Sequence, residues 1–327
     1  MNYPFSDLTR IRVFAAWNSA LVMFGIWLGA QIIAIPFALP FGIYMAQIGG
    51  PLPPMVEMAM TMVVLLVVSL AMIVLTLVWS KTKEGRNLAD IGIRLDPVGW
   101  LQYRKGISIG VLFTIALALL VAILTAGLLQ IGMITSEPEI TPVWSNLADP
   151  TFWLLISALG LLFALQSAAE EVMCRGWLLG ALTAKKGLPF AVLVSSLLFA
   201  SLHIHYFFND GLNLSANQML VGIVAIGAMF GMGLMLAMLA LRDRSIMGAA
   251  GLHAGFNFSA VTLAMVAFQV RPEQSSVAQT FVQSFAQSAN LNQMEPALIV
   301  QFLLSVLLAY YLYQRFGLPK RHDGGRG

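Results

Sequence analysis

The stretch Ala168-Ala-Glu170-Glu171-Val-Met-Cys174-Arg175-Gly176 sets three ionised side chains inside an apolar run that extends over about residues 151–184. About 20 apolar residues suffice to cross a bilayer, so the run reads as a membrane span with charges inside it. A charge at the bilayer centre costs on the order of 3 kcal/mol by insertion scales, which makes an intramembrane ionisable group a functional-site hypothesis by default.

Eight stretches are long and apolar enough to qualify as spans, at roughly 13–47, 56–79, 106–132, 151–184, 188–205, 218–241, 246–270 and 296–314. Of the 327 residues, 59% are hydrophobic and 10% charged, where an average soluble protein carries about 25% charged residues. The expected fold is all-α: a polytopic transmembrane helical bundle of about eight spans. If the N-terminus is cytoplasmic and every stretch crosses, all of the 18 Lys and Arg except Arg175 and Arg271 fall in inner connectors or tails. Such a bias marks the cytoplasmic side and places both termini there. The net charge of +3 is thereby accounted for by topology, and no nucleic-acid partner is expected. The single cysteine, Cys174, excludes an intrachain disulfide.

Three polar constellations interrupt the spans. Glu171 and Arg175 are four residues apart and share a helical face, where the arginine can neutralise one carboxylate. Glu170 points about 100° away, without an intrahelical partner and able to meet another helix. The fifth stretch carries Phe199-Ala-Ser-Leu-His203, and the seventh carries His253-Ala-Gly-Phe-Asn257, whose two polar residues again share a face. Taken singly, each histidine is as readily a hydrogen-bonded packing residue as a functional one. Depth argues for the second reading. At about 1.5 Å per residue from the inner edge of each span, Glu170, His203 and Asn257 all lie roughly 20 Å in, and His253 roughly 13 Å. Helices running in opposite directions thus deliver polar groups to one layer.

Other features read more simply. His205 is expected in an outer loop, and Cys174 as a small packing residue. The basic connector 80–105, with Leu88-Ala-Asp-Ile-Gly-Ile-Arg94, Trp100 and Tyr103, reads as a linker forming a short amphipathic helix on the inner surface. Pro36 and Pro40 should kink or break the long first helix. Gly227-x-x-x-Gly231 and Gly251-x-x-x-Gly255 suit close helix contact, and residues 271–295 read as a solvated outer loop.

Glu-Glu-x-x-x-Arg, Phe-x-x-x-His and His-x-x-x-Asn, in this order on successive apolar segments, resemble the CPBP family, which includes CAAX proteases, bacteriocin-processing and immunity proteins and the type II, Ras-converting CAAX endopeptidases. The resemblance covers about residues 150–265. It divides the chain into N-terminal helices with a basic inner linker (1–149), a catalytic core (150–270), and an outer loop, last helix and basic cytoplasmic tail (271–327). It implies an intramembrane endopeptidase in which Glu170 and His203 activate a water, His253 and Asn257 bind the oxyanion, and Glu171 and Arg175 support the site. Such a division suits amide hydrolysis, which needs a base for water and donors for the developing oxyanion.

No cofactor is required by this reading. Zinc is the one metal the set would suit, with Glu170, His203 and His253 as ligands. The resemblance implies a peptide or lipidated-protein substrate alongside membrane lipids, and the loop-poor architecture suits a bacterial inner membrane. Oligomeric state cannot be read. Two other functions fit parts of the pattern: a non-proteolytic binding or immunity protein of the same family, and a proton-coupled transporter. The second lacks the duplicated halves of many transporters.

Overall fold

In a computed structural model, the structure describes residues 16–49, 54–131, 147–148, 150–204, 216–267 and 296–316. The elements are α1 (Ala16–Ile48), α2 (Pro54–Glu84), α3 (Pro97–Gln130), α4 (Pro150–Glu171), a π-helical turn (Val172–Leu178), α5 (Leu179–Lys186), α6 (Leu188–Ser201), α7 (Ala216–Asp243), α8 (Met247–Ala267) and α9 (Pro296–Phe316). Among the described residues there is no strand. The expected positions of both termini, of the loop 271–295 and of His205 lie outside the described residues.

Among the described residues, six helices are long and apolar enough to cross a membrane: α1, α2, α3, the continuous α4–π–α5 rod, α7 and α9. The expected count of eight also included α6 and α8. α6 has only 14 residues, about 21 Å at the helical rise, which is short of the hydrocarbon thickness. α8 is 21 residues long but interrupts its apolar run with His253, Asn257 and Ser259. Large apolar side chains such as Leu21, Ile123, Leu154 and Leu161 are more than two-thirds exposed. In water so much apolar surface would aggregate; against lipid it is the natural exterior.

α7 is the most enclosed of the six, 61% buried over its most apolar window against 17% for α3. α8 is buried continuously from Met247 to Gly255. Its crossing with α3 is built from small residues, as the Gly251/Gly255 spacing predicts. A Cβ at Gly106 or Gly110 would run into the α8 backbone, and one at Gly251 or Gly255 into the carbonyls of Tyr103 and Ile107. Backbone approach this close lets the Ser259 hydroxyl bond Thr114 Oγ1 across the interface at 2.6 Å. The other glycine pair behaves differently. Gly231 packs on Phe302 and Ser305 of α9, whereas nothing lies within 4 Å of a Cβ at Gly227.

Three local expectations are corrected. Of the kink or break expected at Pro36 and Pro40, the break is absent: α1 is helical through both, since each proline removes only one ladder bond and the flanking bonds hold the helix. The connector contains a single 3₁₀ turn, Ala89–Ile91, in place of an amphipathic helix, and ends on Gly92 in the left-handed region, a conformation that glycine adopts without a Cβ penalty. Nor is Arg86 a surface topology signal: it is 2% exposed and pairs with Glu84 at 3.4 Å.

Candidate active site

The charged turn that reads as one helix is two kinds of helix. α4 ends at Glu171, and Val172–Leu178 widen into a π turn in which the Leu179 amide bonds the Cys174 carbonyl, five residues back. Such turns are rare and are frequently found at functional sites, because the widened register re-aims side chains. Here the change falls directly after the two glutamates.

Glu171 and Arg175 form the expected pair, Nη1 to Oε1 at 2.9 Å, with both side chains fully buried. The guanidinium is also held by the Gly233 carbonyl of α7 at 3.2 Å and lies over the Phe199 ring with Cζ 4.2 Å from its centroid. A buried charge needs such company, since desolvating an ion costs several kcal/mol unless partners replace its water. Glu171 does more than pair locally. The same Oε1 accepts from His253 Nδ1 of α8 at 3.1 Å, so a single carboxylate joins the arginine of its own helix to the histidine of another.

His253 lies between both glutamates. Its Nε2 is 3.9 Å from Glu170 Oε2, beyond direct hydrogen-bond distance but within electrostatic reach. Glu170 is the more accessible carboxylate, its side chain 13% exposed against none for Glu171. Glu170 does have an intrahelical partner, contrary to expectation: Gln166 Nε2 donates to its Oε1 at 3.1 Å. The i−4 spacing was visible in the sequence, but a glutamine in an apolar run draws less notice than a charge.

His203 and His253 are brought together by a residue with no assigned role. Phe199 is 1% exposed; its ring centroid lies 5.1 Å from that of His203 and 5.8 Å from that of His253, the latter edge-on. With Arg175 over its face, Phe199 is the apolar hub against which both imidazoles and the guanidinium are seated. His203 Nδ1 is 3.1 Å from the Phe199 carbonyl. A carbonyl only accepts, so this nitrogen carries the proton and Nε2 of the neutral ring is the acceptor. Asn257 sits one helical turn beyond His253 and is half-buried. Cys174 is fully buried, as a packing residue should be.

Thus Glu170, Glu171, Arg175 and His253 are in direct mutual contact or close to it, His203 joins through Phe199, and Asn257 lines up behind His253. The zinc alternative does not fit. Among the described residues no group of three or more His, Cys, Asp or Glu is disposed to hold a metal ion, so Glu170, His203 and His253 are not gathered as a ligand set. In an apolar surround, the charges and dipoles of this site act with little screening.

Neither a search of curated proteins nor one of solved structures finds a match. Residues 150–259 match the family model described as Rce1-like, type II CAAX prenyl endopeptidase. The match begins at α4 and ends just past Asn257, so it takes in every one of the motif residues. The several apolar helices mark an integral, multi-pass membrane protein, and the matched third of the chain is similar to this protease family.

Proposed function

We propose that the chain is an intramembrane endopeptidase that hydrolyses peptide bonds of membrane-associated or lipidated peptides, with Glu170 as the base. The observation that carries this is the placement of His253, with Nδ1 on Glu171 and Nε2 3.9 Å from the accessible Glu170. One carboxylate is sealed and committed to orienting an imidazole; the other faces the same imidazole across a gap.

In this reading Glu170 takes a proton from a water held between it and His203, whose Nε2 accepts the second hydrogen. The water oxygen bonds the scissile carbonyl carbon, and the carbonyl π electrons move to oxygen. Asn257 donates to that oxyanion without titrating, and His253 donates from Nε2 as an imidazolium. Glu171 compensates the imidazolium charge through Nδ1, a role resembling that of the carboxylate in a Ser-His-Asp triad. Collapse of the intermediate breaks the C–N bond, and the amine leaves with the proton from Glu170. Gln166 holds the remaining oxygen of Glu170 and fixes its rotamer. Arg175 pairs with Glu171 and holds it in place.

Glu170→Gln keeps size and the Gln166 contact but removes the base. Cleavage of an internally quenched, farnesylated peptide ending in a CAAX sequence, assayed in proteoliposomes, should fall by about 10²–10⁴-fold, with the protein still folded. Undiminished turnover by that variant would sink the assignment. Turnover absent from both proteins, with the cellular phenotype surviving Glu170→Gln, would favour the binding or immunity alternative.

A further inference from the structure

The inner connector is tied to the two helices that carry the site. A π turn shifts the backbone hydrogen-bond register from i+4 to i+5. Here the carbonyls of Gly176 and Trp177 accept from Arg86, Nη2 at 3.1 Å and Nη1 at 2.9 Å. Arg86 comes from beyond the end of α2, about 90 residues away in sequence. Its guanidinium is itself anchored by Glu84 Oε2 at 3.4 Å and by the Asp90 carbonyl at 3.0 Å. The other oxygen of Glu84 accepts from the indoles of Trp177 at 2.8 Å and Trp79 at 3.3 Å.

The turn is also shaped for this visitor. Gly176 and Gly180 are four apart on one face, and a Cβ at Gly176 would sit 2.8 Å from the Ile91 carbonyl, while one at Gly180 would collide with Arg86 Nη2. On its far side the connector grips the start of α8. The Gly92 carbonyl accepts from the Ile246 amide at 3.0 Å and from the Ser245 hydroxyl at 3.1 Å.

We propose that residues 84–92 are a positioning clamp for the catalytic groups, with Arg86 as its central residue. By fixing the π turn on one side and the α8 start on the other, the clamp sets the separation between the glutamate pair and His253. Arg86 touches no reacting atom and acts through Glu170, Glu171 and Arg175. The consequence for catalysis rests on the peptidase reading; the consequence for local structure does not.

The test uses Arg86→Lys, Arg86→Ala and the milder Trp177→Phe in the full-length protein, with turnover expressed per folded enzyme on the same farnesylated peptide. Arg86→Lys keeps the charge but not the two-pronged geometry, and its kcat should fall at least tenfold with KM changed less than twofold. A cavity of about 240 Å³ adjoins Arg86, lined by Leu77, Ser80, Lys81, Asn87, Leu88 and Ile91, and it offers a route for added guanidinium to restore kcat to Arg86→Ala. Hydrogen exchange of the amides at 176–180 should rise in both Arg86 variants and, less, in Trp177→Phe, while α7 stays protected. Unchanged kcat per folded enzyme in Arg86→Lys, or guanidinium that raises only the yield of folded protein, overturns the catalytic role. If wild type shows no Glu170-dependent cleavage, the peptidase reading fails and exchange alone decides: selective opening of 176–180 upholds the clamp, and uniform or absent change overturns it.

Discussion

At the residue scale, the adjacent glutamates differ because their surroundings differ. Glu171 is fully enclosed between Arg175 and His253, whereas Glu170 keeps some access and is steadied by Gln166. Replacing Glu171 by Gln would remove one member of a fully buried ion pair, a change that typically costs about 3–5 kcal/mol. Its thermal unfolding should therefore shift strongly downward, in contrast to Glu170→Gln, and differential scanning fluorimetry in detergent would check the contrast. Phe199 makes a second prediction. Phe199→Ala should destabilise by about 3–5 kcal/mol through the cavity left behind, and Phe199→Leu, which retains bulk but not the ring face, should lower kcat more than stability. A misplacement on the order of 1 Å can cost about 10²-fold in rate, so steady-state kinetics beside a melting curve would separate the two effects.

At the element scale, the α3–α8 crossing is the most demanding contact, because its glycines admit backbone to backbone. Gly255→Leu should push the helices apart and break the Ser259–Thr114 bond. Gly227→Leu, with open space at the Cβ, should be tolerated apart from lipid contacts; comparing the two melting curves tests the difference. The start of α3 illustrates a milder device. Asp96 Oδ1 accepts from the Gly99 amide at 2.8 Å, an N-cap placed before Pro97 at the first helical position. Arg94 bonds Asp96 Oδ2 at 2.6 Å, and this bond, followed by the Gly99 amide, holds the carboxyl below its ordinary value of 3.8. A depressed carboxylate contributes stability above its unfolded pKa and loses it as pH falls through the folded value. Protection of the first α3 amides, relative to their intrinsic exchange at each pH, should accordingly fall only below about pH 4, and Asp96→Asn should weaken that dependence.

At the scale of the whole molecule, the enclosed α7 and the N-terminal half of α8 form the interior, and the lipid-facing helices surround them. The orientation expected from the basic connectors is open to a direct measurement, because the one native cysteine is buried and gives little background. A cysteine introduced at Lys83 or Arg315 should react with an impermeant maleimide only after the cells are permeabilised; labelling in intact cells would reverse the topology.

The helical membrane class and the candidate site residues are legible in the amino-acid sequence alone. Apolar length and sparse charge are local, one-dimensional quantities, and a charge inside a span stands out whatever surrounds it. The i, i+4 spacing likewise fixed the Glu171–Arg175 pair, since helix geometry alone brings those side chains together. What only the tertiary structure decided depends on approach between distant segments. His253 reaching Glu171 across 82 residues, Phe199 acting as the common seat, and Arg86 supplying donors to a turn some 90 residues on have no periodic signature. The π turn was hidden for a related reason: its sequence reads as ordinary helix, and partners from other segments meet the carbonyls at its end.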